Sequence, residues 1–456
     1  MTHVHEQQPK PIPRVPGLPI LGNLLDYREN RAELALRVAR ELGDIARLRI
    51  GFLPVVMISA PELVREVLVD KHESFKKAPG LSFFGRPLLG NGLLTSERDF
   101  HKKQRRMMSP MFVQKRIAAY ADVMAARAEK MAASFRDGAS VDVSREMMEL
   151  TLEIVGKTLF DAEVRDEAEE IGAALTATME HIIQSINSLI PIPPTWPTPR
   201  NLRNKKAIAR LDETIYRIIA QRRASPEDKG DLLSMLLLAR DEADPGSGMD
   251  DKQVRDEAMT LFLAGHETTA TARAWTWYLL AQHPEVAQRL YREVDAVLQG
   301  RTPTLEDLTK LPYALQIFKE AMRLYPPAYI VARMTTKTVE IGGHTIRRGT
   351  IVVVSIIGMH RRREYFPDPD QFDPDRFSAE REKTIPRYAF LPFGAGPRIC
   401  IGNHFALMEG QIIVASIAQR LRFELVSQAR VVPEPLVTLR PRGGIPMRVR
   451  RRQPQA

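Results

Sequence analysis

Cys400 is the only cysteine among 456 residues. It stands in Phe393-Gly394-Ala395-Gly396-Pro397-Arg398-Ile399-Cys400-Ile401-Gly402, where glycines, a proline and an arginine crowd one thiol. A thiolate holds soft or redox-active metals, and backbone N–H groups freed by glycine can donate to its sulfur and tune its potential. One thiolate cannot complete a tetrahedral zinc or iron–sulfur site, which takes about four such ligands. A partner that brings its remaining ligands with it meets that requirement, and haem is one. The competing reading is a small buried apolar thiol, which has no need of so much glycine. A second chemistry-bearing run, Ala264-Gly265-His266-Glu267-Thr268-Thr269, lies within a helical pattern from Asp250 to Gln282. Glycine weakens a helix, and a threonine hydroxyl bonded to a preceding carbonyl can bend one. A groove there could hold a diatomic ligand and water.

Phe393, Gly396, Arg398, Cys400 and Gly402 meet the spacing F-x-x-G-x-R-x-C-x-G at every defined position, which resembles the haem-binding loop of the cytochromes P450. The resemblance implies that Cys400 ligates haem iron, with Phe393 and Gly402 shaping the loop around it. Ala264 to Thr268 is similar to that family's [AG]-G-x-[ED]-T oxygen-activation motif, which implies that Thr268 bonds to dioxygen and Glu267 relays protons. Taken alone, the same run also reads as a plain helix interior with an exposed Glu267. His266 and Thr269 receive no role.

Pro312 opens and Pro326-Pro327 closes a helix carrying Glu320-Ala321-Met322-Arg323. The i,i+3 spacing puts the two charges on one face, where an exposed pair is a minor salt bridge. The family resemblance instead gives a buried E-x-x-R pair completed by Arg376 of Pro374-Asp375-Arg376-Phe377, with Asp where the family has Glu. Glu320, Arg323 and Arg376 are therefore expected to be structural. Haem propionates need cations or other donors, and the resemblance points to Arg398, Arg333, His101 and Arg105. Many members carry tryptophan at the His101 position, and a surface histidine on a basic helix is the alternative there.

The remaining sequence must position these residues, and it reads as mainly α with smaller β-sheets. The resemblance implies the cytochrome P450 fold, with haem between the long central helix and the Cys-ligand loop. Helices are expected from Asp99 to Tyr325. Strands are expected over Ile45 to Ile58, over Thr338 to Ile346 turning at Gly342-Gly343, and over the β-branched run Thr350 to Ile357. Prolines exclude helix from Ser188 to Arg200, an apolar loop that in this family lies over the substrate entrance or packs on the surface. Ser225 to Gly230 and Asp244 to Asp250 read as surface turns. Residues 1–25 are expected to form a Pro-rich N-terminal segment without a membrane anchor, and 26–456 a single haem domain.

Hydrophobic residues at 44% and charged residues at 27% suit an ordered globular chain and exclude extensive disorder. A lone cysteine rules out an internal disulfide and suits a reducing compartment. With no run near 20 uninterrupted apolar residues and no secretory signal in Met1 to Gln8, a cytoplasmic protein with no membrane span is expected. The net charge of +10 raises nucleic acid as a partner, but no nucleic-acid motif supports it. Lys102, Lys103, Arg105 and Arg106, and Arg361 to Arg363, read either as solvated faces or as a dock for an acidic electron-transfer protein. The Arg-rich tail from Arg440 to Arg452 reads as solvated.

The function implied is that of a haem-thiolate monooxygenase. It would insert one atom of molecular oxygen into a hydrophobic small molecule such as a fatty acid, terpenoid or steroid. The cofactor would be heme b, and the electrons would come from a ferredoxin or flavodoxin-type donor with its reductase. Leu81 to Leu94, Met259 to Ala264, Ala328 to Val331 and Val437 to Leu439 are the apolar segments that could line a pocket, or equally pack a core. A haem-thiolate sensor would need an output domain, and a non-oxygenating isomerase would often disturb the Glu267–Thr268 pair.

Overall fold

The computed structural model describes residues 11–161, 165–186, 188, 192–224, 229–241, 244–427 and 429–453. In chain order the main helices are α1 (Leu24–Leu42), α2 (Arg98–Met108), α3 (Ala121–Ser134), α4 (Val143–Phe160), α5 (Arg165–Ile186), α6 (Pro199–Ala224), α7 (Asp251–Gln282), α8 (Pro284–Leu298), α9 (Pro312–Leu324) and α10 (Asn403–Arg420). The main strands are β1 (Ile45–Ile50), β2 (Leu53–Ile58), β3 (Phe75–Lys77), β4 (Ile330–Thr335), β5 (Val339–Ile341), β6 (His344–Ile346), β7 (Ile351–Ser355), β8 (Leu421–Leu425), β9 (Pro433–Pro435), β10 (Leu439–Pro441) and β11 (Pro446–Arg451). The fold is mainly helical with several small sheets, as the sequence implies. The chain divides into two compact units, one of residues 1–78, 328–371 and 383–400, the other of 79–327, 372–382 and 401–456.

The first unit is organised by a five-stranded sheet in the order β1-β2-β7-β4-β3. β1 and β2 form an antiparallel hairpin, β7 lies parallel to β2 with Val352 opposite Val56, and β7 runs antiparallel to β4. β7 is a β-branched run, Ile351-Val352-Val353-Val354, whose side chains fit a pleated surface, and Val352 and Val354 are fully buried. They share one apolar core with Val64, Val67, Leu68, Leu391 and Ala395. The segment leading into Cys400 is thereby anchored to the sheet. β5 and β6 form the expected hairpin, and Gly342 and Gly343 take the positive φ values, 55° and 77°, that its turn requires.

The second unit is helical around α7. Its N-cap Asp250 accepts a hydrogen bond from the Gln253 N–H at 2.7 Å, satisfying a donor that the first turn leaves over. α7 is buried from Val254 through Leu263 and from Thr269 through Leu280. A helix apolar all round belongs inside a protein, and Trp275 and Trp277 are 0% and 1% exposed.

Two expectations change. α1 and α10 lie outside the expected helical span. The apolar run Ile412 to Ala418 in α10 is buried throughout, so it lacks the amphipathic period that marks a surface helix. Asp244 to Gly248 is a strand paired with Arg240–Asp241 rather than a plain turn. Part of the Ser188 to Arg200 loop, residues 189–191, and most of the Ser225 to Gly230 turn, residues 225–228, lie outside the described residues.

Candidate active site

The thiol of Cys400 is exposed, against the alternative of a buried apolar cysteine. The loop holding it is closed by hydrogen bonds from Gly394 N–H to the Leu391 carbonyl at 3.3 Å, from Ile399 N–H to Gly396 O at 3.0 Å, and from Cys400 N–H to Phe393 O at 2.9 Å. Gly394 and Gly396 both have φ of 70°, the left-handed region that glycine enters without a steric cost. Gly396 is doubly constrained, because a Cβ there would stand 2.0 Å from the Leu68 carbonyl oxygen. Beneath this loop the fully buried His360 accepts the Leu391 N–H at Nε2, at 2.9 Å. Gly402 caps the N-terminus of α10. Phe393 and Arg398 are half-buried. Arg333 sits on β4, opposite Val352 in register, and donates from its guanidinium to the Ala332 carbonyl at 3.1 Å.

Among the described residues no three His, Cys, Asp or Glu side chains converge to hold a metal ion. One accessible thiol on a rigid glycine-built loop fits a prosthetic group that carries its own ligands. It does not fit a bare cation.

In the second unit, α7 opens at one step. Ala264 is exposed, and Gly265 and Thr268 are half-buried, within a helix otherwise covered on both sides of them. The Thr268 hydroxyl donates to the Ala264 carbonyl, the back-bond anticipated from the sequence. Glu267 is 3% exposed, which removes the plain reading of an exposed acid. Its Oε1 accepts from Thr438 Oγ1 at 2.6 Å and from Arg440 Nε at 3.0 Å. Trp275 Nε1 donates to the Leu439 carbonyl at 2.7 Å and pins β10 to α7. His266 is also buried, its Nε2 lying 3.1 Å from the Met148 carbonyl of α4. Burial, opposed by the neighbouring Glu267 charge, pushes its imidazole down to about 4. That assigns His266 a structural place between two helices.

His101 is 5% exposed, contrary to a surface histidine, and Arg105 follows it one turn later on α2, half-buried. Spacing of four residues puts both on one helical face. The Glu320–Arg323–Arg376 triad forms as expected. Arg323 makes a two-pronged bond to Glu320, at 2.7 Å and 2.7 Å. Arg376 Nε lies 3.4 Å from Glu320 Oε1, which also accepts the Asp373 N–H at 3.0 Å. A second buried pair was not anticipated: Arg273 meets Glu409 at 2.7 Å, both fully buried, and donates to Thr151 Oγ1 at 2.9 Å. Nothing in the spacing of residues 273 and 409 could have announced it.

The basic clusters are more committed than their sequence suggests. Arg106 grips Asp241 with two bonds of 2.8 Å. Arg361 pairs with Asp370 at 2.5 Å, and Arg362 with Asp44 at 2.5 Å and Glu364 at 2.9 Å. Of the tail, Arg452 holds Asp295 at 2.7 Å and Arg451 the Phe135 carbonyl at 2.7 Å, so these arginines are not simply a solvated face.

A sequence model of the cytochrome P450 family matches residues 13–445, and the chain belongs to that family, whose cofactor is haem. Cyclooctatin synthase of Streptomyces melanosporofaciens is 38% identical over 426 residues, 93% of this chain and 92% of that one. Cyclooctat-9-en-7-ol 5-monooxygenase of the same organism is 39% identical over 90% of this chain and 89% of its own length. Pentalenene oxygenase of Streptomyces avermitilis is 34% identical over 87% of this chain and 88% of its own length. The protein is a cytochrome P450 monooxygenase. Among the described residues no helix is long and apolar enough to cross a membrane.

Proposed function

We propose that this protein hydroxylates a hydrophobic terpenoid, with heme b held by Cys400 and electrons drawn from a separate ferredoxin or flavodoxin-type donor. The observation that carries the reading is the accessible Cys400 thiol on its doubly constrained glycine loop. The terpenoid preference is supported by the activities for which the cyclooctat-9-en-7-ol and pentalenene relatives are named. It is also supported by the apolar setting of Ala264, since Leu261, Phe262 and Leu263 are buried beside it in one core with Met259. Tyr329 of the expected Ala328 to Val331 lining is itself 2% exposed, which favours core packing there.

When bound, haem supplies dioxygen binding and its two-electron activation toward an unactivated C–H bond. Cys400 would hold the group through its thiolate, and Arg398, Arg333, His101 and Arg105 would receive the propionates. Phe393 and Gly402 would shape the loop about the thiolate. The Thr268 hydroxyl, half-exposed at the open step of α7, would be able to exchange its bond to the Ala264 carbonyl for one to a small molecule lodged at that step. Glu267 would supply the proton through Thr268. Its Oε1 accepts from Thr438 and Arg440, which leaves Oε2 as the carboxylate oxygen that would carry the proton.

An in vitro assay with a ferredoxin and its reductase tests the reading on cyclic terpene hydrocarbons. Oxygenated product that requires both proteins and dioxygen is the expected result. Product formed from fatty acids and never from terpenes would overturn the substrate assignment, and failure of every separate donor would overturn the electron source.

A further inference from the structure

Two buried carboxylates fasten a loop to the start of α7. Asp256 and Glu257 are 2% and 0% exposed. The Asn91 N–H donates to Asp256 Oδ2 at 2.8 Å, and the Leu93 N–H donates to Glu257 Oε2 at 2.8 Å. Gln253 Nε2 donates to Glu257 Oε1 at 2.8 Å and to the Asn91 carbonyl at 3.4 Å. Lys252 and Arg255 brace Asp256 at 3.1 Å and 2.9 Å. Glycine permits the close approach, because a Cβ on Gly90 would stand 2.0 Å from Asp256 Oδ1 and one on Gly92 2.2 Å from Thr260 Oγ1.

Burying a carboxylate is costly unless its oxygens are bonded, and apolar side chains alone would hold a loop loosely at less expense. Charge-assisted bonds to two specific backbone N–H groups instead fix where the chain runs. Leu88 and Leu89, just before this loop, are fully buried in one core with Met259, Phe262 and Leu263, and Leu93 packs half-buried against it. Glu257 precedes Thr268 by eleven residues, which on a helix is about three turns, roughly 16 Å, and only about 20° around the axis. Glu257, the exposed Ala264 and Thr268 therefore lie along one face of α7, with Asp256 round the axis from them.

We propose that Asp256 and Glu257 are positioning residues for substrate selection. By fixing Asn91 to Leu93, they set how far the loop reaches along the Ala264–Thr268 face, and so the size of apolar molecule admitted. This rests on the reading that this face borders the substrate.

The test uses the haem-loaded full chain and its Glu257→Leu and Glu257→Gln variants. Hydrogen–deuterium exchange is followed in the 90–95 segment. Spin-state titrations use limonene and cembrene, isoprenoid hydrocarbons of ten and twenty carbons. Glu257→Leu should speed exchange there about tenfold or more and change the ratio of the two dissociation constants about fivefold or more. Glu257→Gln, which keeps an acceptor for the Leu93 N–H, should stay within about twofold of the parent protein on both counts. Unaltered exchange, or faster exchange with an unaltered ratio, would overturn the proposal. If Glu257→Leu does not fold, Asp256→Ala, which removes the acceptor of the Asn91 N–H, is measured in its place with the same two readouts, and the same outcomes support or overturn the proposal. The reduced carbon monoxide spectrum is recorded on each preparation. A parent protein without a thiolate band would defeat the haem reading itself, whereas a normal band with unchanged probe ratios would defeat the latch alone.

Discussion

Residues 264–269 divide their work between chemistry and support. Thr268 sits at the open step with its hydroxyl turned back on Ala264, so it can exchange one acceptor for another at little cost. Thr268→Ala should leave haem binding intact but divert electrons from product to peroxide, lowering product formed per NAD(P)H consumed severalfold; coupling equal to the parent protein's would remove Thr268 from proton delivery. His266, in contrast, acts on stability. Its folded-state value of about 4 lies below the ordinary 6.5, so between those values the unfolded chain binds the extra proton. Stability contributed by this group is thus complete above pH 6.5 and is lost as pH falls toward 4, on the order of 3 kcal/mol in all. In denaturant titrations His266→Asn should flatten the dependence of unfolding free energy on pH across that window. An unchanged slope would assign the titration to another group.

The elements explain why some of this was legible in sequence. The Cys400 loop, the α7 motif and the β5–β6 hairpin all use residues with narrow conformational or chemical options, so their spacing carries their geometry. α10 carried no such signal, because a helix buried on every side looks like any apolar run. The Glu267–Arg440 and Arg273–Glu409 pairs were equally hidden, since long-range pairing leaves no trace in spacing. Nor did the charge pattern reveal that Arg106, Arg361 and Arg362 are already paired with carboxylates. Within the Cys400 loop, the two left-handed glycines should respond differently. Gly394 faces open space, so Gly394→Asn, a residue that tolerates this backbone region, should cost at most about 1 kcal/mol. Gly396→Ala would drive a methyl onto the Leu68 carbonyl, and should cost about 2 kcal/mol or more and lower the haem content of purified protein. Equal Tm and haem content for both variants would contradict the loop geometry.

At the scale of the molecule, the buried charges are arranged for definition more than for raw stability. Replacing a buried ion pair by apolar groups is often neutral, whereas removing one partner is expensive. Glu320→Gln leaves Arg323 and Arg376 without their carboxylate, and should lower unfolding free energy by about 3–5 kcal/mol in urea; a loss below about 1 kcal/mol would mean that the triad is not the lock its geometry describes. The same interior frames the catalytic claim, because a family fold by itself does not establish which side chain meets the iron. That claim is tested most directly by the carbon monoxide difference spectrum of the dithionite-reduced protein, recorded for the parent chain and for Cys400→Ser. A strongly red-shifted Soret band is predicted in the parent chain and should be absent from the variant. An imidazole-like band in the parent, or a red-shifted band that survives loss of the only thiol, would contradict thiolate ligation by Cys400.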